Sequence, residues 1–175
     1  MSLPELEQLH MVIERLGSHA RVKTVARVGG YPIHGIVVGT AAETAPCLIL
    51  IGGVHGLERI GTKVVLAYLS TLAERLQWDE LTRNALERSR IAAIPLLNPV
   101  GMRAGTRANG NGVDLMRNGP TNGKGQATWF VGGQRLSPLL PWYMGTKGRL
   151  EPEAEALIDF VADQVVSSEA SIALD

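Results

Sequence analysis

Cysteine is nearly missing from this chain: Cys47 is the only one in 175 residues, so no intrachain disulfide can form. Its place in the apolar run Cys47-Leu48-Ile49-Leu50-Ile51 reads as a small buried hydrophobe rather than a reactive thiol. A surplus of charge is missing too, with Lys+Arg 17 against Asp+Glu 17 and a formal net charge of +0. Without a basic excess to neutralise phosphates, nucleic acid is not an expected partner. No apolar run approaches the ~20 residues that a membrane-spanning helix needs, so no membrane association is expected. The opening Met1-Ser2-Leu3-Pro4-Glu5-Leu6-Glu7 has neither a basic segment nor a continuous apolar stretch. A secretory signal is therefore not expected, and the cytoplasm is the expected setting. Histidine is scarce. The four are His10, His19, His34 and His55, and none follows His55.

What is present is a globular balance, 45% hydrophobic and 19% charged, at the length of a single domain spanning residues 1–175. Apolar groups at Leu6, Leu9, Ile13 and Leu16 lie on one helix face, and Gly17 offers a stop. His10 and His19 flank this helix as solvated groups. Val22 to Val28 and Ile33 to Val38 read as strands, with a hairpin across Gly29-Gly30-Tyr31-Pro32. Cys47 to Ile51 is short and continuously apolar, as in a strand buried on both faces. After a glycine-rich break, Ile60, Val64, Tyr68, Leu72 and Leu76 recur every four residues beside Val65 and Leu69, which predicts an amphipathic helix.

A short helix is expected from Trp78 to Arg88 and a buried strand from Ile91 to Leu97. From Gly101 to Gly133 the chain is rich in Gly, Asn and Pro without periodicity, the mark of a long functional loop. Helix returns from Glu151 to Val166, with Ala154, Leu157, Ile158, Val161 and Val165 on one side. Ser171 to Leu174 begins another strand. This order predicts an α/β fold with a mixed, partly parallel sheet flanked by helices.

In an open α/β sheet, ligands bind beyond the carboxyl ends of the strands. The first such end carries Gly52-Gly53-Val54-His55-Gly56-Leu57-Glu58. Imidazole and carboxylate are both good zinc ligands, and a short loop can turn both toward one ion. Alone the pair is a weak signal, since a loop histidine near a helix-capping glutamate has the same spacing. The second strand end carries Asn98-Pro99-Val100-Gly101, then Gly105-Thr106-Arg107, then Gly112-Val113-Asp114-Leu115-Met116-Arg117-Asn118.

In this order and spacing the chain resembles the M14 zinc carboxypeptidases from about Cys47 to Asn118. A fainter likeness continues through Trp142-Tyr143-x-Gly145 and Glu151-Pro152-Glu153. The resemblance implies a zinc-dependent hydrolase of peptide or amide bonds, with His55 and Glu58 as two of three ligands to one zinc ion. Asp114 would hydrogen-bond the far nitrogen of His55 and fix its tautomer. Arg107 would stabilise the oxyanion of the scissile carbonyl, and Arg117 would clamp a substrate carboxylate.

Two departures from the family pattern matter. The asparagine expected before the clamping arginine is Met116, a thioether in place of an amide. Strict recognition of a free C-terminus is thereby in doubt, and a cell-wall peptide or another acylated amino acid becomes a plausible substrate. The family's third ligand is a histidine just after a strand that corresponds to Ser171-Ile172-Ala173-Leu174. Its proton-accepting glutamate lies further on.

The chain is therefore expected to be the N-terminal portion of the catalytic domain. By itself it should hold zinc poorly and turn over little. Two alternatives stay open. One is an amidohydrolase like aspartoacylase and succinylglutamate desuccinylase, and the other is a binding module that kept the scaffold and lost the chemistry. An incomplete sheet would expose an edge, so self-association is also expected.

Overall fold

The computed structural model describes residues 3–120, 137, 142–165 and 170–174, the last stretch as backbone only. Residues 121–133 of the predicted loop, and Val166 of the predicted helix, lie outside that set.

Helix α1, Pro4–Leu16, starts with a proline that has no N–H to leave unpaired and stops at Gly17, whose φ is 50°. It buries Leu9, Val12 and Leu16, while the predicted Leu6 and Ile13 flank them half-buried. Strands β1, Ala20–Val28, and β2, Tyr31–Gly39, pair antiparallel, with Val28 opposite Tyr31. The hairpin turn is thus Gly29-Gly30 alone. Both glycines have positive φ, so the chain reverses in two residues and Tyr31-Pro32 is left free to join the strand.

Strand β3, Cys47–Ile51, leads to helix α2, Arg59–Trp78, and then to α3, Glu80–Leu86. Strand β4, Arg90–Ile94, and a short helix α4, Pro99–Ala104, come next. Helix α5, Pro152–Val165, and strand β5, Ala170–Leu174, follow. The five strands lie in the order β1-β2-β4-β3-β5. β2 runs antiparallel to β4, whereas β3 runs parallel to both β4 and β5. The sheet is mixed and partly parallel, as the alternation of elements predicts.

Helices cover both faces of this sheet. On one side Leu9, Val12 and Leu16 of α1 and Leu66, Leu69, Ala73 and Leu76 of α2 meet Ile36, Val38, Ile91 and Ala93. On the other side Phe160 of α5 meets Ile33, Ile49, Ala92 and Ile94. A fully buried leucine such as Leu69 contributes about 2–3 kcal/mol by leaving water. Cys47 is 3% exposed and serves as the small core residue its sequence context suggests.

The face of α2 differs from the predicted one. Val65, Leu66, Leu69, Leu72, Ala73 and Leu76 are buried, whereas Ile60 is 66% exposed, Val64 59% and Tyr68 40%. A helix has two apolar diagonals here, and a strict four-residue spacing follows only one of them. Contact with α1 and the sheet buries the predicted Val65, Leu69, Leu72 and Leu76 but not Ile60, Val64 and Tyr68, along a stripe that mixes three- and four-residue steps. Leu48 and Leu50 of β3 stay half-buried for a related reason, since α2 covers only part of that strand.

In α5 the predicted Ala154 is buried and Leu157 and Val161 pack against the core, but the face extends further than predicted. Phe160 is buried and Val165 is 39% exposed. The long loop expected after Gly101 is also more ordered than its composition suggests. The Asn98 side chain accepts from the Gly101 N–H at 2.8 Å, and Pro99 sits at the first helical position, so a short helix forms where no periodicity announced one.

Candidate functional site

The two parallel strands β3 and β4 end side by side, and their loops stay zipped together beyond them. The Gly52 N–H donates to Ile94, Leu97 donates back to Gly52, and Asn98 donates to Gly53, at 2.8, 3.0 and 2.9 Å. Asn98 is fully buried. Its amide reaches the carbonyl of Val54 in one loop and of Ala108 in the other, each at 3.2 Å. One side chain thereby ties the loop that carries His55 to the loop that carries Arg107.

Between these ties the backbones come close. A Cβ on Gly56 would collide with the backbone of Gly101 and Met102. Glycine is required at this position for space, so that His55 and Glu58, on either side of it, can face the neighbouring loop.

His55 stands between two carboxylates. Its Nδ1 lies 3.2 Å from Glu58 Oε2, and its Nε2 lies 3.3 Å from Asp114 Oδ1. Asp114 is 1% exposed and acts as the hub. Its Oδ1 also accepts from the Met116 backbone N–H at 3.1 Å, and its Oδ2 accepts from Arg107 Nε at 2.9 Å. Arg107 Nη1 donates to Glu58 Oε1 at 3.2 Å, closing a ring of four side chains. Arg117 Nε sits 3.8 Å from Asp114 and is buried without a hydrogen-bond partner. Met116 itself is 54% exposed, so its backbone serves the hub while its side chain faces solvent.

All six residues singled out in the sequence are thus gathered at one end of the sheet. Arg103, grouped with Arg107 and Arg117 in sequence, turns elsewhere and donates to the Tyr31 hydroxyl at 2.7 Å. The other histidines do not join. His34 on β2 faces Thr24 and the ring of His10, with centroids 5.7 Å apart. Burial first, then the nearby His10 and Arg27, hold the His34 pKa below its ordinary value. His19 lies in the exposed turn Gly17–His19 at the end of α1.

The donor chemistry suits a zinc ion. An imidazole nitrogen and a carboxylate converge three residues apart, and the far ring nitrogen rests on a buried carboxylate, as ligating histidines usually require. Among the described residues no group of three His, Cys, Asp or Glu side chains is placed to hold a metal ion together.

Several residues support the site through contacts that sequence does not show. Buried Asn109 accepts from the Asn111 and Val113 N–H groups and donates to Glu151 and Glu153 at 2.9 and 3.2 Å. It shapes the turn that delivers Asp114 and anchors that turn to the start of α5. Burial raises the pKa of Glu153, opposed in part by this amide. Asn118 donates to the carbonyls of Met144 and Arg149 and accepts from the Glu151 N–H. The carbonyl of Tyr143 accepts from the Asp114 N–H at 2.8 Å. The Trp142–Gly145 and Glu151–Glu153 segments, faint in sequence, therefore brace the hub directly. The clusters Asn109-Gly110-Asn111-Gly112 announce turns, but their partners some 40 residues away are set by the tertiary fold.

The chain is similar to known proteins in sequence and in fold. The chain is 29% identical over 111 residues to carboxypeptidase SOL1 of Arabidopsis thaliana, a match covering 61% of this chain and 23% of that protein. Among solved structures it superposes on bovine thrombin-activatable fibrinolysis inhibitor, which was solved in complex with tick carboxypeptidase inhibitor. The TM-score is 0.74 at 19% identity, covering 99% of this chain and 59% of that one. A metallo-carboxypeptidase from Burkholderia cenocepacia gives a TM-score of 0.62 at 22% identity, covering 91% of this chain and 36% of that one.

The chain thus spans less than a quarter of the curated relative and between a third and three fifths of these structures. Residues 9–174 match the family model described as zinc carboxypeptidase. The likeness in sequence and in fold has one source: this chain belongs to the zinc carboxypeptidase family.

Proposed function

We propose that the chain contributes two zinc ligands, His55 and Glu58, to a hydrolase acting on peptide or amide bonds. One observation carries this reading. His55 directs Nδ1 toward Glu58 while its Nε2 is held by the buried carboxylate of Asp114. A histidine that served only the fold would not need carboxylates at both ring nitrogens. Leu174 of β5 is in register with Ile51 of β3. A donor carried just beyond β5 would therefore arrive beside the His55 loop.

A bound zinc ion would supply Lewis acidity to polarise the scissile carbonyl. The residues of this chain would do the positioning. Asp114 holds the His55 ring in one orientation and keeps its far nitrogen hydrogen-bonded. Arg107, beside Glu58 and tethered through Nε, presents a permanent positive charge where a carbonyl oxygen gains negative charge. Arg117, with its Nε unpartnered, offers a planar fork to a substrate carboxylate.

Exposed Met116 favours a second reading of the substrate. A thioether beside that fork cannot hydrogen-bond a terminal carboxylate, which suits a cell-wall peptide or an acylated amino acid better than an ordinary peptide C-terminus. The deciding experiment measures zinc stoichiometry and affinity of the chain beside His55→Ala. The variant is expected to lose binding. Equal affinity in the two proteins would mean that the site is wrongly assigned.

A further inference from the structure

Glu58 has a positional problem. It is the N-cap residue of α2, with φ −92° and ψ 76°, yet its side chain makes no capping hydrogen bond to its own helix. Its carboxylate instead points back to His55 and Arg107, and it is 47% exposed. Its backbone N–H donates to the His55 carbonyl at 3.1 Å, which closes the turn but leaves the turn itself to be fastened to the rest of the fold.

The next residue does this from the opposite side. Arg59 Nη1 donates to Glu5 Oε1 at 2.5 Å, and Nη2 donates to the carbonyl of Met102 at 2.9 Å. Three helices meet on this one guanidinium: α1 through Glu5, α2 through Arg59 itself, and α4 through Met102. The Asn98 side chain at the other end of α4 holds Val54. The segment from Val54 to Arg59, with both proposed ligands inside it, is therefore fastened to α4 at each end and pressed against it at Gly56.

Stability alone does not account for the grip. Glu5 is 5% exposed, and its second oxygen, Oε2, is buried with no hydrogen-bond partner. Arg59 is 39% exposed, so the pair is half-buried. Water screens its attraction while the unsatisfied Glu5 oxygen adds a desolvation cost, and such a pair stabilises no more than apolar residues of the same size. A grip with fixed length and direction is what such a pair supplies and an apolar contact does not.

We propose that Arg59, held by Glu5, is a positioning residue for Glu58, setting where its carboxylate stands relative to His55. The proposal rests on the reading of His55 and Glu58 as zinc ligands. It predicts that metal affinity and fold stability separate when the grip is replaced by apolar side chains.

The test uses the full 175-residue chain and zinc alone as the probe. Dissociation constants are read by competition with a chromogenic chelator for wild type, His55→Ala, Arg59→Lys and the double variant Glu5→Leu/Arg59→Met. Thermal melting in excess chelator supplies the metal-free stability. The double variant is expected to melt close to wild type while binding zinc on the order of tenfold more weakly, the effect typical of residues that orient a ligand. Arg59→Lys, which keeps the charge but cannot span two acceptors as a fork, is expected to fall between the two.

Unchanged zinc affinity in the double variant, with binding lost in His55→Ala, would overturn the positioning role and leave the metal site standing. Wild-type affinity in His55→Ala would remove the metal site and the positioning role together. Should the double variant not fold, Arg59→Lys decides: weakened affinity with an unaltered melt supports the role, and wild-type affinity refutes it.

Discussion

Two aspartates at separate places in the fold show how similar side-chain chemistry can serve different ends. Asp79, between α2 and α3, accepts from Arg75 Nε and Nη2 at 2.9 and 2.5 Å, the Thr82 hydroxyl at 2.7 Å and the Leu81 N–H at 3.0 Å. Asp114 likewise collects an arginine and a backbone N–H, but adds His55, 59 residues away in sequence. Every partner of Asp79 lies between residues 75 and 82, so it joins two consecutive helices and is saturated by them. The hub around Asp114 draws on three separate loops. It also leaves capacity unused, since Arg117 Nε is buried without a partner and His55 turns its other nitrogen toward Glu58. A buried acid with an arginine is therefore not in itself the mark of a site. Long-range convergence with donors left over is the better mark.

The comparison is tested most severely at Asp114. Asp114→Ala leaves Arg117 without its facing carboxylate, leaves Arg107 paired only with Glu58, and frees the His55 ring. Because both arginines are about one-third exposed, water offsets part of the loss. Destabilisation by about 2–3 kcal/mol is expected from denaturant unfolding. Zinc affinity should fall by roughly 10- to 100-fold. A variant with wild-type metal affinity would reduce Asp114 to a second Asp79.

A smaller effect is expected from Gly56→Ala. The added methyl meets the backbone of Gly101 and Met102, and backbone yields less readily than a side chain. A loss of about 1–2 kcal/mol is expected, accompanied by weaker zinc binding because His55 and Glu58 flank the displaced residue. Weaker folding with unaltered zinc affinity would show that the close approach serves packing alone.

Asp79→Asn should have the smallest effect and none on metal. The Thr82 hydroxyl and then the Arg75 guanidinium hold the Asp79 carboxyl well below its ordinary value of 3.8, at about 2. A folded-state pKa lowered in this way means that the carboxylate's contribution is fully present above pH 3.8 and is lost as pH falls toward 2. The gap in unfolding midpoint between wild type and Asp79→Asn should therefore be constant from neutral pH down to the ordinary carboxylate range, then close on further acidification. A gap that persisted into strong acid would point to a partner of the neutral form.

Much of the fold is legible residue by residue. The Cys47–Ile51 run, the Gly29-Gly30 turn and the stop at Gly17 stand where hydrophobic pattern and backbone freedom put them. The face of α2 does not, because Ile60, Val64 and Tyr68 share its apolar character with Val65, Leu66 and Leu69. Only contact with α1 and the sheet distinguishes the two diagonals. Helix α4 carries no periodic signal because six residues are too few for a period; its signal is the Asn98 cap followed by Pro99.

For the site, residue types and spacing pointed to His55 and Glu58, and the family resemblance was needed to nominate Arg107, Asp114, Met116 and Arg117. Neither spacing nor resemblance revealed that Met116 serves through its backbone, that Asn98 ties both loops together, or that Arg59 reaches Glu5 and Met102. The contacts of Asn98 with Val54 and of Arg59 with Glu5 and Met102 join residues 43 to 54 positions apart.

By itself, the sequence determined the local structure and the inventory of chemistry: where strands and turns form, and which side chains can ligate a metal or hold an anion. Local propensity and donor type are properties of a few neighbouring residues, so they are written in order along the chain. The tertiary structure alone decided which helix face is buried, which asparagines brace the loops, and that His55 lies between the carboxylates of Glu58 and Asp114. Each of those outcomes depends on distances between segments that meet only after the sheet has formed.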